Sequence, residues 1–377
     1  MVAAFFYNYK YEYDHAGRLK TTHHKPGNGN DYYLLAQNSY DAVGRVIKTE
    51  KGNTANLTQS YSYDVRSRLQ TSTGTFFTET LTYNRNSDIS VMQWKQPSQV
   101  RKYTFAYDKL SRLTKATYTG STASEKYGTE YSYDKHGNIC TLKRYGKQAT
   151  GNYPLVDNLT MQYNGNQLMR ITELAATVSL PESNDLKTSS AYAYNKNGAM
   201  TKDSGKNITS ISYNSLNLPT QLTINNATHT YTYAADGTKL KVVQGASSRD
   251  YVGNLIYENG SLKRMLVPGG YWENGKYYFY QTDHLGNNRV VVDENGNVVQ
   301  QNHYYPFGLP MAETTNTEQS VQPYKLGNKE FEQKNDLNLY DFEARYMDPA
   351  LGRFTTMDPM AEKYYSISPY AYCANNP

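Results

Sequence analysis

The chain has 377 residues, a net charge of +5, 38% hydrophobic residues and a mean hydropathy of −0.78. That apolar share lies below the roughly 45–50% of ordinary globular domains and leans toward disorder. However, 39 tyrosines supply large rings that can build a core while each hydroxyl finds a partner. The charge is spread without long like-charge runs, which argues against nucleic-acid binding, and no apolar stretch is long enough to span a membrane. Cys140 and Cys373 are far apart and make neither a metal-ligand spacing nor a disulfide framework. The opening MVAAFFYNYKYEYD lacks the basic and long apolar regions of a signal peptide and reads as entry into a repeat already under way.

Taken in order, residues 11–22 read YEYDHAGRLKTT, 40–49 YDAVGRVIKT, 61–72 YSYDVRSRLQTS, 105–115 FAYDKLSRLTK and 131–142 YSYDKHGNICTL. Weaker copies lie at 81–92, 161–171, 192–202, 211–222 and 231–242. The unit is Tyr-x-Tyr-Asp/Asn, a few variable residues, Gly or Ser, Arg or a polar residue, then Leu/Ile. A spacing of about 20–30 residues is the range of repeat architectures. Tyr11 and Tyr13 are two apart and share a strand face. Asp14 can accept hydrogen bonds from the turn it opens, Gly17 supplies positive φ, and Leu19 starts the return strand. Each unit is therefore a β-hairpin with a longer or bulged turn. Ser67 and Ser111 replace the turn glycine, and a changed turn geometry is expected there.

Residues 167–176 (QLMRITELAA) have the composition of a short helix, and 50–60, 118–126 and 146–158 read as loops. A tighter hairpin pattern begins at 251, with turns at Glu258-Asn259-Gly260, Asp283-His284-Leu285-Gly286 and Glu294-Asn295-Gly296. The polar stretch 311–322 reads as a mobile loop. Hairpins strung in one direction must stack or wind to bury a face, so the expected fold is all-β, a curled or spiral sheet of successive hairpins.

Candidate chemistry gathers in 339–377. Arg345 precedes Asp348-Pro349, and Asp358-Pro359 follows ten residues later. Two carboxylates sharing a proton can serve as acid and base, and an arginine can tune them or hold an oxyanion. The structural alternative is Asp-Pro turn chemistry with Arg345 in a salt bridge. His284 beside Asp283 has no second ligand at metal spacing and is read as a turn; DENGN at 293–297 lacks the spacing of a calcium loop and is also read as a turn.

The repeated YDxxGR units, DHLGNNR, YYPFG, KLGNKEFE and the closing YDFEARYMDPALGRFTTMDP…YAYCANNP resemble the Rhs/YD-repeat family in its Bacteroidetes-type form, over nearly the whole chain. The resemblance implies YD repeats over 1–276 forming part of a hollow shell. It also implies a repeat-associated core domain over 277–377 acting as a plug. A role follows from it: encapsulating and delivering a C-terminal toxin, in a secreted or cell-surface setting, with self-cleavage by an aspartic autoprotease at Arg345, Asp348 and Asp358. No cofactor or metal is implied. The family's Asp-Pro-x-Gly cleavage motif and toxin are absent from this sequence, so the expected partner is a C-terminal effector beyond it. Two alternatives stand beside this reading: an extracellular or cell-surface adhesion module whose tyrosines bind carbohydrate, and an inactive fragment of a larger gene.

Overall fold

The computed structural model describes residues 7–27, 31–96, 99–176, 188–311 and 321–377. The fold is all-β, a long antiparallel sheet that is not closed, with strands over 54% of the chain and helix over 4%. The chain forms two compact units: Met1–Val100 with Val252–Gln301, and Arg101–Tyr251 with Asn302–Pro377.

The repeat sequence explains the hairpin atom by atom. In the first unit the strands Tyr7–Tyr13 and Leu19–Pro26 pair antiparallel. The Asp14 carboxylate accepts the backbone N–H groups of Ala16 (2.9 Å) and Arg18 (3.0 Å) and the Arg18 Nε–H (2.7 Å). Gly17, at φ 74°, closes the turn by donating its N–H to the Asp14 carbonyl. Tyr13 faces Leu19 while Glu12 faces Thr21, so Lys20 is a bulged extra residue that disrupts the ladder locally. The next repeat uses that disruption. The Tyr40 hydroxyl donates to the Leu19 carbonyl at 2.7 Å, and the Arg18 guanidinium lies 4.7 Å from the Tyr40 ring centre. Tyr63 repeats this on Val46 and Arg45, and Tyr83 on Leu69 and Arg68. The YDxxGR unit is thus a stitch between neighbouring hairpins. Each stitch joins a hydrogen bond of about 1 kcal/mol to a cation–π contact of about 0.5–1 kcal/mol.

Later strands of the same unit pack on the earlier ones. The rings of Tyr33 and Tyr277 stack with centres 4.2 Å apart, and buried His24 shares a 2.8 Å hydrogen bond between Nδ1 and the Tyr277 hydroxyl. The Gln96 amide donates to the Arg289 carbonyl at 2.7 Å.

The second unit follows the same grammar through Asp108, Arg112 and Tyr133. Its hairpins then lose the arginine: position 138 is Asn where Arg18, Arg45, Arg68 and Arg112 stand in earlier units. The C-terminal segment fills the gap. Arg353 lies 5.3 Å from the Tyr163 ring centre, where a residue-138 arginine would stack, and its Nη2 donates to the Asn166 carbonyl at 3.0 Å. Tyr370 donates to the Gly198 carbonyl at 2.7 Å. Strand residues Leu142, Leu159, Ile171 and Ile208 form one core with Phe307, Tyr340 and Met347. A small sheet of Glu330–Glu332, Leu339–Asp341, Tyr346–Asp348 and Arg353–Phe354 completes the segment.

Several expectations are corrected. Residues 167–173 are a strand, Gln167–Glu173, and no helix forms. The i, i+3 spacing of buried Leu168 and Ile171 looks helical but comes from the bulge at Met169, which restores both to the inner face. Ser67 and Ser111 leave the turn geometry unchanged: at φ 60° and 58° they adopt the conformation of the glycines and make the same closing bond to Asp64 and Asp108. The expected loops at 50–60 and 146–158 are shorter, because strands Thr58–Tyr63 and Leu155–Asn164 take their ends. Polar Asp157 reads as loop but is buried against Arg144, whose Nε–H bonds it at 2.6 Å. The expected loop at 118–126 lies between the strands Leu113–Thr119 and Thr129–Tyr133. The expected turns at 258–260, 283–286 and 294–296 all form. Of the 311–322 stretch, residues 312–320 lie outside the described residues.

Candidate functional site

The candidate residues sit on the hairpin Tyr346–Asp348 and Arg353–Phe354 and the chain that follows it. Asp348 is buried, and its carboxylate accepts the N–H groups of Ala350 (2.9 Å) and Leu351 (3.3 Å) in the turn it opens with Pro349. Gly352 ends this turn at φ 64°; a Cβ there would lie 2.7 Å from the Phe307 ring.

Arg345 reaches the other way. Its guanidinium lies over the Phe354 ring at 3.6 Å, donates from Nη1 to the Pro369 carbonyl at 3.3 Å, and pairs from Nη2 with Asp358 Oδ2 at 2.8 Å. Asp358 is half-buried; its carboxylate also accepts the Met360 N–H at 2.8 Å, and its own N–H donates to the Pro369 carbonyl. Burial lowers the Arg345 pKa from its ordinary value, against the opposing pull of Asp358. The Arg345–Asp358 pair forms the polar wall of an apolar cleft of about 380 Å³, walled elsewhere by Phe342, Phe354, Tyr364 and Cys373. Asp348 is not among the residues lining it.

The structure therefore brings Arg345 and Asp358 together and places Asp348 in the adjoining turn. A guanidinium beside a carboxylate at the wall of an apolar cleft can hold a peptide carbonyl and deliver or accept a proton next to it.

A second constellation escaped the sequence reading. Glu330, Glu332 and Asp341, all buried, bring carboxylate oxygens within 4.8 Å of one another. The ammonium of Lys239 sits among them, at 3.1 Å from Glu330, 3.1 Å from Glu332 and 2.6 Å from Asp341. Arg249 and the Tyr251 hydroxyl also bond Glu330, and Tyr346 donates to Glu332 at 2.8 Å. The geometry could hold a metal ion, but the chain supplies its own cation. The alternation of Glu330, Glu332 and the facing Asp341 was the available signal; Lys239, far away in sequence, was not.

His284 lies in the expected turn, and it also has a buried partner. Glu79 accepts both the His284 backbone N–H and a bond at Nδ1, each 2.9 Å. Burial pushes the His284 pKa down, and Glu79 more than offsets this, leaving it raised. The DENGN segment is a turn in which Asp293 accepts the N–H groups of Asn295 and Asn297. Both cysteines are free.

No family model matches the chain. It is 23% identical to the toxin subunit YenC1 of Yersinia entomophaga, over 97% of this chain and 43% of that protein. It is 26% identical to the tRNA3(Ser)-specific nuclease WapA of Bacillus spizizenii, over 72% of this chain and 11% of that protein. Among solved structures it superposes on the Tc holotoxin pore of Photorhabdus luminescens with a TM-score of 0.75 at 18% identity, and on the TcdB2–TccC3 complex with a TM-score of 0.64 at 16% identity. Each match covers 98% of this chain and 20% of the other. The chain spans less than half the length of any of these relatives. It shares the fold of these Tc toxin chains over 98% of its length.

Proposed function

We propose that this chain is the repeat-and-core part of a secreted Tc/Rhs-type toxin shell, in which repeats 1–276 and core 277–377 enclose a C-terminal effector. The observation that carries the reading is the joint match: YenC1 aligns over 97% of the chain, and the Tc chains share its fold over 98%. The packing of 302–377 onto a run of repeats that lack the stitching arginine fits a core built to seat there.

Arg345 and Asp358 form the reactive pair for self-cleavage in this reading. Asp358 takes a proton from the water that adds to the scissile carbonyl and passes it to the leaving nitrogen as the C–N bond breaks, Arg345 holds the carbonyl oxygen, and Asp348 fixes the hairpin that presents Arg345. The test is the intact mass of the chain joined after Pro377 to a segment carrying Asp-Pro-x-Gly and a small reporter. Cleavage in the parent, abolished by Asp358→Asn and reduced by Asp348→Asn, is the expected result. A folded parent that stays whole overturns the catalytic assignment and leaves the shell role alone.

A further inference from the structure

Three other buried guanidiniums have carboxylate partners: Arg144 with Asp157, Arg264 with Glu273 and Arg289 with Asp283. Arg353 does not. It is 7% exposed, and no carboxylate pairs with it among the described residues. Its charge is met by the Tyr163 and Tyr370 rings, with centres at 5.3 and 4.9 Å, and by the Asn166 carbonyl. Its Nε is buried without a hydrogen-bond partner. Taking a guanidinium out of water costs several kcal/mol unless charge and N–H groups are both satisfied. A carbonyl dipole and two ring faces meet that demand in part.

Arg353 also lines a cavity of about 10 Å³, together with Gly352, Ser368, Asn138 and Asn375. None of the lining residues is acidic. Asp134, behind Asn138, is spent on its own turn, where it accepts the N–H groups of His136 and Asn138 and the Asn138 amide. The cavity has room for one small guest, a water or a monatomic ion. A water would satisfy the free N–H but leave the charge. A monatomic anion does both.

We propose that the Arg353 cavity binds a single halide ion, chloride in physiological media, as the counter-ion of the arginine that seats the core segment on the repeats. The Nε–H of Arg353 and the hydroxyl of Ser368 are the donors to it.

The test is thermal unfolding of the full chain prepared without halide, titrated with chloride against gluconate at constant ionic strength. A saturable rise in the midpoint with chloride but not gluconate is expected, by linkage to binding of the folded state alone. Ser368→Ala should shift the titration to severalfold higher chloride with its amplitude kept. Arg353→Met should abolish it. Should that variant fail to fold, anomalous diffraction from bromide-soaked crystals of the parent replaces it, with a peak expected beside Arg353. Superimposed chloride and gluconate curves, a chloride effect retained in Arg353→Met, or no bromide at that position would each overturn the proposal.

Discussion

Replacing Lys239 with Met tests the buried ionic cluster. In the native fold its ammonium is held by three carboxylates at 2.6–3.1 Å, each on the C-terminal segment, while Lys239 itself lies on the repeat strand Lys239–Gln244. Met keeps the stem and removes the charge, leaving three buried carboxylates with Arg249 as their remaining cation. Removing one partner of a buried pair costs about 3–5 kcal/mol. Glu330 gives a second route to the magnitude. Burial raises its pKa, but Lys239 and Arg249 outweigh burial and hold it at about 2, against 4.5 for a free glutamate. A depressed carboxylate stabilises above its unfolded pKa and loses that contribution as pH falls through its folded one. The difference corresponds to about 3 kcal/mol, present above pH 4.5 and lost toward pH 2. Urea unfolding at pH 7 should show Lys239→Met less stable by about 3–5 kcal/mol, a large share of a typical domain's total. The parent should lose stability between pH 4.5 and 2, and the variant should lose much less. A variant within about 1 kcal/mol of the parent, with the same acid limb, would refute the reasoning.

Tyr63→Phe removes the hydroxyl that donates to Val46 but keeps the ring under Arg45, so urea unfolding should show a loss of about 1 kcal/mol. Ser67→Gly relieves a left-handed residue at φ 60° and should stabilise by up to about 1 kcal/mol, less the bond from Arg45 to its hydroxyl, in the same assay. His24 is fully buried, and burial lowers its pKa from 6.5 to about 4. Its neutral form is the one the fold holds, so stability is present above pH 6.5 and falls as pH drops toward 4. The Tm of His24→Phe should lack that slope, whereas a slope unchanged from the parent would place the titrating group elsewhere.

The fold was legible because its grammar is local. Tyr, Asp, Gly and Arg at fixed spacing form a turn whose hydrogen bonds lie within five residues, so one unit read correctly gives them all. What the sequence hid was set by distance. The bulge after each turn gives Leu168 and Ile171 a helix-like spacing inside a strand, and only the partner strand shows why. The candidate site was half legible. Arg345 and Asp358 could be named from the Asp-Pro pairs, but that Arg345 turns toward Asp358 depends on Phe354 and Pro369, which fix its guanidinium. Lys239 and Glu79 could not be found at all, since their partners lie about 90 and 205 residues away. The missing arginine at Asn138 was visible in the repeats but had no meaning until Arg353 was seen in its place.

The enclosing role is tested most directly by trypsin digestion of the chain joined after Pro377 to an unstructured, lysine-rich reporter segment. Enclosure predicts that the reporter survives native digestion and is cut only after the repeats are unfolded in urea. A reporter cut under native conditions as fast as the same segment alone would contradict it.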